Sequence, residues 1–383
     1  MQGLTELLTP VNAGSQNLKV AEIDPRTDPR WEAFVRGHPN GSIHHHPAWL
    51  EALEREYGQK GVHFLCEDSA GKVLAVLPML ETRGLPFGLA RSLAGRRLSS
   101  LPRTPVAGPL SIDDGATVAL LQEAIERVDA DPGLRLQIKT QGRELDGLID
   151  GIACAPWRLS YLLKLPEDGQ RPFRIAKSHN RAAVKRALQK AGRLGVYARP
   201  AETEAELDVW YGLYLETMRH NAVPPRPYRF FAALWQLLKP LGMMELILAE
   251  QDRAGRRVIL AGSIFLSFGE TVTYAFGGSR LRDLALRPND VIQWRAINDA
   301  HKNGYRFFDF GEVPEGEDDL AKFKRKWGAE PVRLHRYYYP ANTALHSGIA
   351  DSRGYVDVLG KAIWRRLPLR AISWLGDQLY ARL

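Results

Sequence analysis

Asp309 stands out chemically because of its neighbours. It lies between Phe308 and Phe310 in Tyr305–Phe310, an aromatic-rich run that reads as a buried strand. A carboxylate there is costly unless paired or hydrogen-bonded. Burial also raises its pKa, which suits a general base. The competing reading is structural: Asp309 caps the turn at Gly311 or pairs with a nearby arginine. Glu312, closer to the acidic loop that follows, is a second candidate. Phe323–Gly328 then sets Lys324, Arg325 and Lys326 between Phe323 and Trp327. Such cations either meet charge on a substrate or form a solvated turn.

A second concentration of charge lies upstream. Between Arg171 and Arg199 there are nine cations and no Asp or Glu. Arg181, Lys185 and Arg186 are its best candidates for holding phosphate, since Lys185 falls one helical turn beyond Arg181. The alternative is a solvated basic face. Tyr274, in the strand TYAFGG, either hydrogen-bonds a substrate or packs in the core. His44–His46 invites a metal assignment, but successive residues cannot converge on one ion in regular structure. A helix beginning at Pro47 accounts for them better, and no metal site is expected. Cys66 and Cys154 are the only cysteines and neither has a His or a cation at motif spacing. A cysteine nucleophile and a disulfide framework are therefore disfavoured, and a reducing compartment fits.

The elements that must position these residues can be read from pattern. A helix starts at Pro288, carries Val291, Ile292, Trp294, Ala296 and Ile297 at helical spacing, and stops at Asn303-Gly304. The strand with Asp309 follows, then the acidic loop and a short helix through Lys324. Upstream, the pattern predicts a basic helix over 175–191 and a capping box Thr203–Glu206. A helix follows over 228–238, then strands over 244–249, 258–268 and 271–277. The first half predicts strands over 18–23, 62–66, 73–80 and 134–139, with helices over 47–57 and 116–128. A last strand covers 332–339.

These spaced motifs resemble one family. The helix RPNDVIQW, then NGYRFFDFG, then LAKFKRKWG, in that order, are similar to the FemAB-type, or FemX-like, aminoacyltransferases of the GNAT-like superfamily. HNRAAVKRALQKAGRLGV, ETMRHNAVPPRPYRFF and the Ala261-Gly262-Ser263 strand extend the resemblance. HHHPAWLEALEREYG and LPR…GPL carry it more weakly into the first half, so it spans roughly residues 20–340. It implies an α+β (mixed α/β) fold of two tandem GNAT-like domains, each a mixed twisted sheet flanked by helices. The expected divisions are a flexible leader over 1–17, domains over 18–160 and 161–340, and a basic amphipathic tail over 341–383. The tail either lies on a membrane or docks on the protein's own body.

The resemblance also implies an activity: an aminoacyl group moves from aminoacyl-tRNA to an amine of a peptidoglycan precursor or small metabolite, forming an amide. In the FK-xx-WG pattern the Lys after Phe is implicated in stabilising the oxyanion, and here that residue is Lys324. Asp309 or Glu312 would manage the amine proton. Arg325, Lys326 and Trp327 join Arg181, Lys185, Arg186 and Tyr274 as substrate-binding candidates. Two alternatives stand beside this one. The first is an N-acyltransferase using acyl-carrier-protein or acyl-CoA in polysaccharide or lipid assembly; the second is a non-catalytic GNAT-like binding scaffold. CoA-using GNAT enzymes carry an R/Q-xx-G-x-G/A loop; GGSRLRDLALRPND here has its glycines too early, which argues against ordinary acetyl-CoA use. No cofactor is expected.

Composition agrees with such partners. Of 383 residues, 45% are hydrophobic, enough for ordinary cores, and the net charge of +8 favours a polyanion: tRNA, a pyrophosphate-bearing lipid, a nucleotide or an anionic membrane face; the alternative is a merely basic surface. MQGLTELLTPVNAGSQN lacks a basic n-region and a long apolar core, so it does not read as a secretory signal. A cytoplasmic location is expected, with peripheral contact at the inner membrane face as an option for the tail.

Overall fold

A computed structural model describes residues 18–83, 95–343 and 358–380. The expected leader over 1–17 lies outside the described residues. The first half runs β1 (Lys19–Ile23), α1 (Pro29–Gly37), α2 (Pro47–Tyr57), β2 (Val62–Glu67), β3 (Val73–Thr82), β4 (Arg96–Ser99), β5 (Leu110–Ser111), α3 (Asp114–Asp129) and β6 (Leu134–Thr140). The second runs β7 (Ala153–Lys164), α4 (Ser178–Arg193), β8 (Val196–Pro200), α5 (Glu204–Asn221), α6 (Tyr228–Leu237), β9 (Met244–Arg253), β10 (Arg256–Phe268), β11 (Thr271–Ser279), α7 (Pro288–Lys302), β12 (Phe307–Val313), α8 (Asp318–Lys326) and β13 (Glu330–Tyr339). Helices α9 (Val358–Arg366) and α10 (Leu369–Tyr380) form the tail. The architecture is the mixed α/β one expected.

The strands of the two halves join edge to edge. Their order is β1-β2-β3-β4-β6-β13-β7-β12-β11-β10-β9-β8, with β5 added on β3, one sheet of 13 strands. Strand β13, the last in sequence, makes the junction by pairing with β6 of the first half and β7 of the second. Strand β7 runs through the expected boundary at 160/161.

Three apolar cores hold the layers. One lies between α1 and α2 of the first half and α5 and α6 of the second, and contains Trp31, Trp49, Trp210 and Phe231. A second packs α4 and α7 on the second half, around Phe308, Phe310 and Trp327. The third seats α3 on the first half. Local signals fix the helix ends. Thr203 and Glu206 form the capping box at α5. His46 caps α2, its Nδ1 accepting from the Ala48 amide. The other histidines of the triplet pair with backbone: His44 Nδ1 with Val106 O, His45 Nε2 with Gly108 O. Burial pushes the pKa of His44 to about 3 and His45 to about 4, so both rings are neutral.

Two expected elements shift. The basic helix begins at Ser178 instead of residue 175, because Phe173 and Ile175 are buried core residues leading into it. The strand expected over 305–310 runs Phe307–Val313. The Tyr305 amide closes the end of α7 on Ala300 O, and Arg306 donates to Glu270 O. At the far end Gly311, at φ +72°, makes a bulge, after which pairing with β7 resumes at Glu312 opposite Ser160. Glu312 is therefore a strand residue and not part of the acidic loop.

Candidate functional site

The site forms where two central strands part. Strands β11 and β12 are parallel neighbours only at Thr271–Phe307, Val272–Phe308 and Thr273–Asp309. Beyond that, β11 pairs only with β10, and β12 only with β7. Asp309 occupies the last paired position, and the Gly311 bulge lies next along β12. Parallel strands that separate leave their edge groups facing one another without a ladder.

Asp309 is half-buried. Its Oδ1 accepts from Ser160 Oγ at 3.0 Å and from the Gly311 amide at 2.8 Å. Both contacts favour the anion, as does the Lys324 charge nearby, but burial outweighs them and raises the pKa above the ordinary carboxylate range. Asp309 therefore does cap the Gly311 turn, and it also keeps the raised pKa that a general base requires.

Lys324 enters from α8 and is 3% exposed. Its Nζ donates to Gly311 O at 2.8 Å and Glu312 O at 3.0 Å, the carbonyls of the bulge itself. An ammonium has three donors, so one remains for an incoming oxygen. Burial pulls its pKa down to about 8, against the pull of Asp309 and Glu312 in the other direction. Glu312 is held on both oxygens: Trp157 Nε1 donates to Oε2 at 3.0 Å, and Arg158 Nη1 to Oε1 at 2.9 Å. A carboxylate so engaged fixes β7 against β12. Of the two proton acceptors read in the sequence, the geometry favours Asp309.

The remaining candidates separate into three groups. Arg181, Lys185 and Arg186 are exposed on α4. Arg325 is exposed beside them, its guanidinium 5.5 Å from the Tyr161 ring centre, and Asn180 of α4 donates to its carbonyl at 3.0 Å. The cationic face of α4 thus continues onto α8, next to Lys324. Lys326 and Trp327 point elsewhere. Lys326 pairs with Asp290, which is 4% exposed in the first turn of α7. Trp327 is fully buried against Trp294 and Phe323. Both residues make contacts that hold α8 on α7. Trp327→Ala is expected to cost about 3–5 kcal/mol of stability, read as a lower Tm. Tyr274 packs on Phe265, and burial raises its pKa while the Ser263 hydroxyl opposes the rise. Its carbonyl faces Gly311, where an added Cβ would lie 3.7 Å away.

Ser160, Trp157 and Arg158 were missed in the sequence. They are far from Asp309 along the chain, and no local pattern marks them; only β7–β12 register brings them together. No group of three or more metal-ligating side chains occurs among the described residues.

Residues 178–325 match the family model described as Acetyltransferase (GNAT) domain. No curated protein matches the chain in sequence. Among solved structures, FemX is similar with a TM-score of 0.64 at 17% identity, covering 87% of this chain and 100% of that one. The carboxy-terminal domain of a candidate lysylphosphatidylglycerol synthetase from Agrobacterium fabrum gives 0.55 at 12% identity, covering 84% and 94%. L-PGS from Bacillus licheniformis gives 0.52 at 13%, covering 87% and 99%. At these identities the likeness is one of fold. The strands that part at Asp309 lie within a GNAT-type domain over 178–325, and the chain as a whole has a FemX-like fold.

Proposed function

We propose that this protein is an acyltransferase that moves an aminoacyl group from aminoacyl-tRNA to an amine of a peptidoglycan precursor or small metabolite, forming an amide. The observation that carries the transferase reading is the placement of the Lys324 ammonium and the Asp309 carboxyl on one bulge, where β11 and β12 separate. The amine nitrogen attacks the ester carbonyl of the donor and yields its proton to Asp309. Lys324 faces the oxygen on which negative charge develops; its burial strengthens that interaction and leaves it nothing to reorganise. The tetrahedral centre collapses by breaking the carbon–oxygen bond to the terminal ribose, and the proton held by Asp309 passes to the departing hydroxyl. With Lys324 so deeply set, the donor carbonyl must enter the gap between the strands.

Two features favour a tRNA donor over acyl-CoA. First, the start of α7 is poorly suited to a pyrophosphate. Pro288 has no N–H to offer, the Asp290 amide is bonded to Arg287 O at 3.2 Å, and the buried Asp290 carboxylate brings its own negative charge, paired with Lys326. Second, α4 presents an exposed face of cations without acids that leads to Arg325. A fold relative is named for lysylphosphatidylglycerol, so an aminoacylated product is consistent with this architecture. The same basic face would also suit an acidic acyl carrier protein, the second reading.

Incubation with charged tRNA, acyl-CoA and acyl-carrier-protein pools separates these. Donor loss that RNase abolishes supports the first reading; loss only from a thioester pool replaces it with the second. Binding without turnover of any donor, across a range of amine acceptors, would leave a binding scaffold. If tRNA is the donor, Lys185→Glu with Arg186→Glu is expected to weaken its binding by about an order of magnitude at ~0.1 M salt and to flatten the salt dependence. Turnover of saturating donor should change little.

A further inference from the structure

The tail does two things at once: it packs on the body and keeps an apolar, cationic outer face. On α10 the inward stripe is Ile372, Gly376 and Tyr380, all buried. Gly376 lies so close to α6's leading segment that an added Cβ would sit 2.5 Å from Pro225 O. Trp364, Leu367 and Leu369 pack on the core shared by the two halves. Arg365 Nε donates to His220 O at 2.9 Å and Arg219 Nη1 to Leu367 O at 3.4 Å, fixing α9 on the last turn of α5. The orientation of the pair is therefore set by the body.

The outward side is the unusual one. Trp374 is 61% exposed and Ile363 56%, the two most exposed large apolar side chains among the described residues. Arg370, Trp374 and Gln378 form one exposed stripe, and Lys361, Arg365 and Arg366 are exposed beside Ile363. The only acid described in these helices, Asp377, lies 3.3 Å from Arg229. Among the described residues, no core contact requires Trp374 or Ile363 to be apolar. A tryptophan and an isoleucine among unopposed cations match the boundary of an anionic bilayer: the apolar groups enter the headgroup layer and the cations stay at the phosphates. No described helix is long and apolar enough to cross a membrane, so contact of this kind would be from one side.

We infer that the outer face of α9 and α10 docks this protein on an anionic lipid surface. The placement has a consequence for the site. The last turn of α5, which anchors α9, also holds the end of β11, where Thr217 Oγ1 accepts from the Ser279 amide at 3.0 Å. That is the end of β11 at which the gap beside β12 opens. The tail and the end of β11 thus share one anchor on α5. The inference does not depend on the donor or on catalysis.

The test is cosedimentation of the full chain with vesicles of phosphatidylcholine alone or of equal parts phosphatidylcholine and phosphatidylglycerol. Binding is expected only with phosphatidylglycerol and should weaken as salt rises. Trp374→Ala with Ile363→Ala should reduce it at least tenfold. Arg366→Glu with Arg370→Glu should reduce it further, since each cation near such a surface contributes about fivefold. Both variants should keep the wild-type Tm, because the replaced side chains are exposed. Equal binding to both vesicles, no binding at low salt, or variants that bind like wild type would overturn the proposal. So would self-association of the soluble protein that the same variants abolish, which would assign the face to a second copy. The donor-loss assay, which contains no lipid, should be unchanged in both variants, so the two proposals fail separately.

Discussion

Lys324→Ala is expected to lower kcat by about 10²–10³-fold with donor binding largely kept, the loss typical of removing one donor from an oxyanion site. The substitution also strips hydrogen bonds from Gly311 O and Glu312 O, so a structural loss has to be separated from an electrostatic one. Lys324→Gln does this: its amide can still donate to one bulge carbonyl but carries no charge. If charge on the oxyanion is the point, Gln should be nearly as slow as Ala while its Tm stays closer to wild type. Full kcat in either variant would remove Lys324 from the mechanism. The pH dependence gives an independent check. With its pKa held at about 8 by burial, the ammonium is lost as pH rises through that value, and kcat should fall there. Stability moves the opposite way. The folded pKa lies below the unfolded lysine value, so the unfolded chain binds more protons between about 8 and 10.4 and the native state gains stability over that interval. Activity falling while Tm is steady or rising would point to the ammonium and not to unfolding.

Asp309→Asn is expected to cost about 10²–10⁴-fold in kcat, the range for a positioned general base. The amide is nearly isosteric and can still accept from Ser160 Oγ and the Gly311 amide, so the bulge should survive. The acid limb of the pH–rate profile should disappear with it. That limb should lie above the ordinary carboxylate range, because burial raises Asp309. Glu312→Gln provides the contrast. Both of its oxygens are already engaged by Trp157 and Arg158, so it should disturb stability more than the shape of the profile. A profile whose acid limb vanishes in Glu312→Gln and persists in Asp309→Asn would exchange the two roles.

Much of this was legible in the chain because the signals are local. The periodicity of 288–302, the capping box at Thr203 and the strand patterns over 62–66 and 73–80 act over a few residues, and those elements form where the pattern placed them. The aromatic run around Asp309 read as a strand, and a strand forms there with Asp309 half-buried on the face opposite Phe308 and Phe310. The acid-free run from Arg171 to Arg199 likewise became an exposed cationic helix.

Other features needed the tertiary structure, because they depend on which distant strands are neighbours. The joining of two halves into one sheet rests on β13 choosing both β6 and β7, a pairing that no run of residues encodes locally. Past the bulge at Gly311, Glu312, which the sequence places closer to the acidic loop, is a strand residue gripped by Trp157 and Arg158. Lys326 and Trp327 show the same limit within one motif. Two and three residues beyond Lys324, they are carried by helical rotation to Asp290 and the core, while Lys324 turns onto the bulge. By itself the sequence determined which residues had the chemistry and which helices and strands would carry them. The fold decided which of those groups meet, because strand register and helix rotation convert equal spacing along the chain into unequal positions in space.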